Sequence, residues 1–324
     1  MIYDIIIIGA GISGLYSYHL LKKINNKYKL LILESSNRIG GKIYSEGKSI
    51  LGAKFLHNDI EKFREPEKNN KSYYIGNLQD KSKDIQNSMK LEDSGSISDM
   101  IHNKFKYINE INIEYDFNSI VSVLNKNKNI KFNTPFKNYK INNDIIIVNN
   151  TYKTKKIIFA LPVNVLKNLN TPFKKYFNNW YQSNIITLSF ELNGKLNLND
   201  GFHFYDKFKR TSFFYNKQKD ILYVNIFDRN NDFSIQDIKE KIVNYFLLTS
   251  YKFKYKNWNK DKHLLGGWSV PKKTVNSNII KLIEGGYNHK IYYTGDYLGK
   301  IENMGSATNA LNNVETLVSK IYFN

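Results

Sequence analysis

The residues best placed to do chemistry cluster in the first 57 positions. An apolar run, Ile5-Ile6-Ile7-Ile8, leads directly into Gly9-Ala10-Gly11-Ile12-Ser13-Gly14. A helical pattern follows, then a second apolar run, Leu30-Leu31-Ile32-Leu33, which ends on Glu34 and Ser35. Strand, glycine turn, helix, strand and acid in this order suit an adenine dinucleotide lying across the end of a parallel sheet. Gly9 permits the tight turn, Gly11 lets backbone approach a pyrophosphate, and Gly14 lets the helix pack on the strand. Ala10 and Ser13 belong to the same turn, and the helix start offers N–H groups to phosphate. Glu34 comes 20 residues after Gly14, where a carboxylate accepts from ribose hydroxyls.

A second cluster narrows the choice of dinucleotide. Arg38-Ile39-Gly40-Gly41-Lys42 and then Leu51-Gly52-Ala53 follow the second strand, and a nicotinamide-binding unit has no need of them. A guanidinium offers phosphate a fixed fork of donors, and paired glycines clear space for it. The chain has 48 lysines and arginines, of which only Arg38, Arg64, Arg210 and Arg229 are arginine, so an arginine inside the glycine loop stands out. The pattern Glu34-x-x-x-Arg38-x-Gly40-Gly41-Lys42 resembles the extended FAD signature of the flavin-containing amine oxidase superfamily.

That resemblance reaches the other end of the chain. Tyr293-Thr294-Gly295-Asp296 is similar to the family's aromatic-Ala-Gly-Glu motif, whose acid meets the ribityl chain; Asp296 is one methylene shorter. Met304-Gly305-Ser306-Ala307 is similar to the helix start that follows, where backbone N–H groups near Asn303 would face the flavin C2 carbonyl. A residue at the position of Phe136 lies beside the adenine in the family, although by pattern Phe136 is equally an ordinary core residue. Gly266-Gly267-Trp268 resembles the turn that delivers one aromatic wall over the flavin, and Trp268 reads equally well as a core tryptophan. Two departures stand out. Thr187 occupies the register of the family's active-site lysine, and Glu302 falls near its second aromatic wall.

The resemblance implies an FAD-dependent oxidoreductase that moves a hydride equivalent from an amine C–H to flavin N5, with reoxidation by O2. The substrate would be a small molecule, an amine by that analogy. The two departures leave open a flavin desaturase or oxidase acting on a non-amine substrate, or an FAD-binding module without turnover.

Composition bounds the rest. The formal charge is +19, a balance that elsewhere points to nucleic acid. Here the lysines are scattered, and Lys, Asn, Ile and Tyr rise together, as in an AT-rich genome such as that of a large DNA virus or an AT-rich microbe. No specific nucleic-acid partner is therefore expected. Cysteine is absent, which rules out disulfides, thiolate metal sites and a cysteinyl flavin link, so FAD is expected to be non-covalent. The histidines show no metal spacing, and no metal is expected. No apolar run approaches the roughly 20 residues needed to span a bilayer, so no membrane partner and a soluble, cytoplasmic protein are expected.

These residues need a scaffold to converge. The expected fold class is α/β: a Rossmann-like FAD/NAD(P)-binding domain with an inserted α+β substrate domain. The expected division assigns 1–57, 120–170 and 264–324 to the FAD domain, and 58–119 and 171–263 to the substrate domain. A weak helical pattern lies around Ile101–Ile111 and a helix over Phe117–Lys126. A β-meander covers 130–162. Strands are expected at Ile185–Leu192, Phe202–Tyr205, Ser212–Tyr215 and Leu222–Phe227, with a helix at Ser234–Leu248. A last strand, Ile291–Thr294, precedes a helix from about Asn303 to Ile321, whose apolar positions follow a 3.6 period.

Overall fold

The computed structural model describes residues 1–56, 72–73, 112–114, 117–126, 128–203, 208, 211–227, 234–272, 274–301 and 304–323. The chain divides into two compact units. One comprises Met1–Ile43, Asp116–Gln182 and Lys262–Asn324; the other comprises Tyr44–Tyr115 and Ser183–Asp261.

The first unit is built on a mixed sheet. Strands β1 (Ile2–Ile8) and β2 (Leu30–Leu33) pair in parallel, joined by helix α1 (Ile12–Ile24). Ile5 to Ile8 and Leu30 to Leu33 are all buried. Such unbroken apolar runs mark strands covered on both faces, as parallel crossover sheets are. Among the described residues the strand order is β8-β2-β1-β11-β10-β9, with β19 also pairing with β11. Here β8 is Ile130–Lys131, β9 Tyr139–Asn142, β10 Ile145–Val148, β11 Tyr152–Phe159 and β19 Ile291–Tyr293. The expected meander is thus β9-β10-β11, antiparallel throughout. Ile130–Lys131 stands apart from it and pairs in parallel with β2. Asn129 explains why: its carbonyl accepts from Ile32 N and its side chain donates to Leu30 O.

The core of this unit joins Ile6, Leu31, Ile157 and Phe159 to Phe177, Trp180, Ile283 and Tyr293. Short helix α3 (Val163–Leu166) and helix α5 (Ser277–Gly285) cover it. Helix α5 was not anticipated, although its signals are local: Asn276 caps Ile279 N at 3.1 Å, and Ile280 and Ile283 are buried. The final helix, α6 (Ala307–Phe323), packs against α1, and Tyr16 of α1 donates to Glu315 at 2.9 Å. It starts later than expected because Ser306 is its cap, accepting from Asn309 N at 3.0 Å. Helix α2 (Phe117–Asn125) agrees with its sequence reading.

The second unit holds a sheet ordered β14-β15-β16-β13-β17, antiparallel at every pairing. Its strands are β13 (Ile185–Leu192), β14 (Gly201–His203), β15 (Thr211–Asn216), β16 (Ile221–Phe227) and β17 (Tyr251–Asn257). Period-2 alternation sends Ile186, Leu188, Phe190, Val224 and Ile226 to one face, where Ile238 and Ile242 of helix α4 (Ile235–Phe246) cover them. Ser234 caps α4 by accepting from Asp237 N, and Leu247 in left-handed conformation ends it. Strand β17 was not anticipated, because half of its alternation is lysine: Lys252, Lys254 and Lys256 separate Tyr251, Phe253 and Tyr255.

On the other face lie β3 (Ser45–Glu46) and β4 (Ser49–Ile50). Ser189 donates to Ser49 Oγ at 2.8 Å, Ser49 donates to Glu191 at 2.7 Å, and Ile50 N donates to the Tyr223 hydroxyl at 3.2 Å. These bonds explain why the first break between units falls after Ile43, whereas the sequence reading drew it after residue 57. Strands β5 (Phe55–Leu56), β6 (Ser72–Tyr73) and β7 (Asn112–Glu114) form a small sheet ordered β5-β7-β6, and β12 (Trp180–Gln182) pairs with β18 (Ser269–Pro271) in the first unit. The weak pattern at Ile101–Ile111 lies outside the described residues. Among the described residues no helix is long and apolar enough to cross a membrane.

Two outcomes follow from this packing. A Cβ built on Gly14 would come within 2.0 Å of the Gly9 carbonyl oxygen. Gly14→Ala is therefore expected to destabilise the protein by about 1–3 kcal/mol, measured by urea unfolding; an unchanged midpoint would contradict the close packing of helix on strand. Burial works against charge on Glu191, but bonds from Lys254 at 2.6 Å and from Ser49 hold its carboxyl below the ordinary 4.5. The stability it contributes is present above pH 4.5 and lost as pH falls through the lowered value. Glu191→Gln should flatten the acid limb of stability against pH, and an unaltered limb would refute the assignment.

Candidate functional site

The glycine turn after β1 is fixed from both sides. Ala10 N donates to Glu34 Oε2 at 2.7 Å, and Ala10 O accepts from Gly40 N at 2.9 Å. Gly11 and Gly40 form a parallel bridge. A Cβ on Gly41 would lie 3.1 Å from Gly11 Cα, so the two glycine loops touch backbone to backbone. Gly9 has φ of +103°, and a Cβ there would meet Ala160 O at 2.6 Å. Gly9, Ala10, Gly11, Glu34, Gly40 and Gly41 thus form one continuous surface.

Glu34 is buried, and its other oxygen accepts from Ser36 N at 2.8 Å, Ser36 Oγ at 2.7 Å and Ser35 Oγ at 3.3 Å. Its carboxylate therefore ties the end of β2 to the glycine turn. Arg38 lies inside its own loop. Nη1 donates to the carbonyls of Ile39 at 3.1 Å and Ile43 at 3.2 Å, and Nη2 donates to Gly41 O at 2.6 Å. The guanidinium fork, expected to face phosphate, shapes the loop with these three bonds.

Gly11 differs from its neighbours. Its backbone is ordinary, with φ −69° and ψ 177°, and a Cβ built on it meets nothing within 4 Å among the described residues. Neither strain nor crowding from the chain requires glycine here. It is also the N-cap of α1, which no side chain caps. The unpaired N–H groups of a helix start attract anions. Ser13, in that first turn, is buried and its carbonyl accepts from Ser17 Oγ.

Residues from the far end of the sequence close on this surface. Lys42 Nζ lies 2.8 Å from Asp296 Oδ2. The same carboxylate accepts from Ser269 N at 3.1 Å and Ser269 Oγ at 2.7 Å, while its backbone carbonyl accepts from Gly305 N at 2.7 Å and Asn309 Nδ2 at 3.3 Å. Asp296 therefore links the second glycine loop, strand β18 and the start of α6. Gly295 cannot carry a side chain, since a Cβ would meet the Tyr297 ring at 2.5 Å. Burial, then Tyr293 and Asp296, push the Tyr297 hydroxyl well above its ordinary 10.0, so it stays protonated. Behind this, Thr294 Oγ1 donates to Asn313, and Asn313 donates to Glu284 at 3.1 Å.

Trp268 is partly buried, and its ring edge packs where a Cβ on Gly305 would fall, at 3.1 Å from Cδ1. Its turn is held by Gln182, which donates to Gly267 O at 2.7 Å, and by Asn164, which donates to Leu265 O at 2.9 Å. Phe136 packs edge-to-face on Phe159 at 5.0 Å, in the first core. Thr187, Gly52 and Ala53 belong to the second unit. Thr187 is buried and donates to Asn225 Oδ1 at 3.2 Å, and Gly52 N donates to Tyr44 O at 3.0 Å. Asn303 and Glu302 lie outside the described residues, as does His57. Ser36, Ser269 and Asn309 escaped the sequence reading. Ser36 and Ser269 adjoin motif residues, but serine carries no signal until its partner is known. The Thr308 hydroxyl, in the first turn of α6, is buried without a partner among the described residues.

Comparison with known proteins agrees with this geometry. The family described as NAD(P)-binding Rossmann-like domain matches residues 7–58. No curated protein matches the chain. Solved structures do: 604 chains match it, so the fold is widely used and does not by itself select a substrate. One is a double mutant of putrescine oxidase, from a redesign of its cofactor binding. It superposes with a TM-score of 0.65 at 12% identity, over 100% of both chains. Residues 7–58 are thus similar to an NAD(P)-binding Rossmann-like domain, and the chain shares its overall fold with that putrescine oxidase mutant.

Proposed function

We propose that the chain is an FAD-dependent oxidoreductase of the amine oxidase type, with FAD held non-covalently. The observation that carries this reading is Gly11. It sits at an uncapped helix start, faces open space, and is needed there by neither the backbone nor its neighbours. A pyrophosphate explains both the space and the uncapped N–H groups.

The residues present fit that cofactor. Gly9 to Gly14 and the start of α1 would hold the pyrophosphate. Gly40 and Gly41, shaped by Arg38, would form the opposite wall. Glu34 Oε2 accepts one bond, from Ala10 N, which leaves that oxygen a lone pair for a ribose hydroxyl. Lys42 and Asp296, held 2.8 Å apart, would meet the polar chain between pyrophosphate and ring. The start of α6, with the buried Thr308 hydroxyl, would face the ring carbonyls. When bound, the flavin supplies the hydride acceptor at N5 and the outlet for electrons to O2. The protein's part is orientation and exclusion of water: Trp268, fixed by Gln182 and Gly305, is the aromatic wall assigned to the reacting face.

One observation favours a second reading. Thr187 brings a hydroxyl, bonded to Asn225, where an amine oxidase brings a lysine. This suits a flavin oxidase or desaturase acting on a non-amine substrate. Anaerobic bleaching of the flavin separates the two, since amines reduce it in the first case and fail in the second.

Gly11→Ala is expected to leave the unfolding midpoint nearly unchanged while lowering FAD affinity at least tenfold, read by titrating apoprotein with FAD. Full FAD binding by the variant would overturn the phosphate assignment. Trp268→Ala is expected to retain FAD but slow anaerobic reduction by an amine about 10- to 100-fold. Unaltered reduction would remove Trp268 from the reacting face.

A further inference from the structure

One face of the second unit's sheet carries a polar row. Side chains directly opposite each other on antiparallel strands share a face. The pairings Ser212 with Asn225, Asn225 with Thr187, and Thr187 with Lys256 therefore align four residues across β15, β16, β13 and β17. The row spans three strand spacings, about 14 Å. It lies opposite the face that α4 covers, beside the rows occupied by Ser49 and Ile50.

The row is rich in donors and poor in acceptors. Asn225 Oδ1 is taken by Thr187, which leaves the two amide N–H groups of Asn225 unbonded among the described residues. Ser212 is 5% exposed, and its hydroxyl has no protein partner among the described residues. Lys256 gives one donor to Asp261 at 2.7 Å and has two more. Lys54, 4% exposed, places its ammonium 4.1 Å from the centre of the Tyr223 ring on the same face. The carboxylates beside the row, Glu191 and Asp261, already hold Lys254 and Lys256. A ligand cation finds no uncommitted acid among them. Every other residue of β16 is buried, whereas Asn225 is partly exposed.

We propose that the row Ser212–Asn225–Thr187–Lys256 binds a small-molecule carboxylate. Charge-assisted bonds from several donors to one carboxylate are strong and directional, and Asn225, at the centre, contributes most to the choice of ligand.

Phenylacetate and phenethylamine match in shape and differ in charge. Their binding to the purified protein is measured by calorimetry, with and without added FAD. The wild-type protein is expected to bind phenylacetate at least tenfold more tightly. Asn225→Leu should weaken phenylacetate at least tenfold, and Asn225→Asp should reverse the preference toward the amine; circular dichroism checks the fold of each. Equal or tighter binding of the amine, no detectable phenylacetate binding, or wild-type behaviour in a folded variant would overturn the proposal. Should Asn225→Leu not fold, Asn225→Asp and Ser212→Ala carry the test. A protein that never takes up FAD yet prefers phenylacetate would refute the flavin reading and keep this one. A yellow protein that prefers the amine would do the reverse.

Discussion

Both polar groups of the Ala10 backbone are committed within the protein. Its N–H is held by the acid that ends β2, and its carbonyl by the second glycine loop. A buried peptide group without partners is costly, and here each partner comes from a segment that must itself be in place. The turn after β1, the end of β2 and the loop through Gly40 therefore form together or not at all. Helix α1 takes its direction from that turn, and the backbone contact of Gly41 on Gly11 leaves no room for the loops to slide. Such a surface meets its ligand with little entropy left to lose, which is the physical content of preorganisation.

The first unit was largely legible because its signals are local and mutually consistent. Unbroken apolar runs, glycines at fixed offsets and a closing acid specify strand, turn, helix and strand without long-range knowledge. What the sequence could not convey is the second partner of each polar group. Arg38 reads as a phosphate ligand from its type and place, yet three of its donors close its own loop. Glu34 reads as a ribose acceptor, yet it also binds Ala10 and Ser36. Asp296 was recognised by motif, while its partner Ser269 was not, since a serine far away in sequence announces nothing until the fold brings it near.

The second unit was legible as alternation rather than as chemistry. Strands β13, β15 and β16 are buried almost throughout, and their boundaries lie within a residue of the sequence reading. Strand β17 went unread because its alternate positions are lysines, which in so basic a chain look like ordinary surface. The register recovered their meaning. Thr187, noted only for the lysine it lacks, lies directly opposite Lys256 on the neighbouring strand, so a cation stands on that face of the sheet after all.

Gly11 has an evolutionary corollary. Among the described residues its surroundings leave room for a Cβ, and its backbone angles suit almost any amino acid. Mutational drift at this codon would thus go unnoticed by any quality control that senses only misfolding. The architecture itself demands Gly9 and Gly14 but not Gly11, so under the proposed function it is the nucleotide that would keep glycine at this codon.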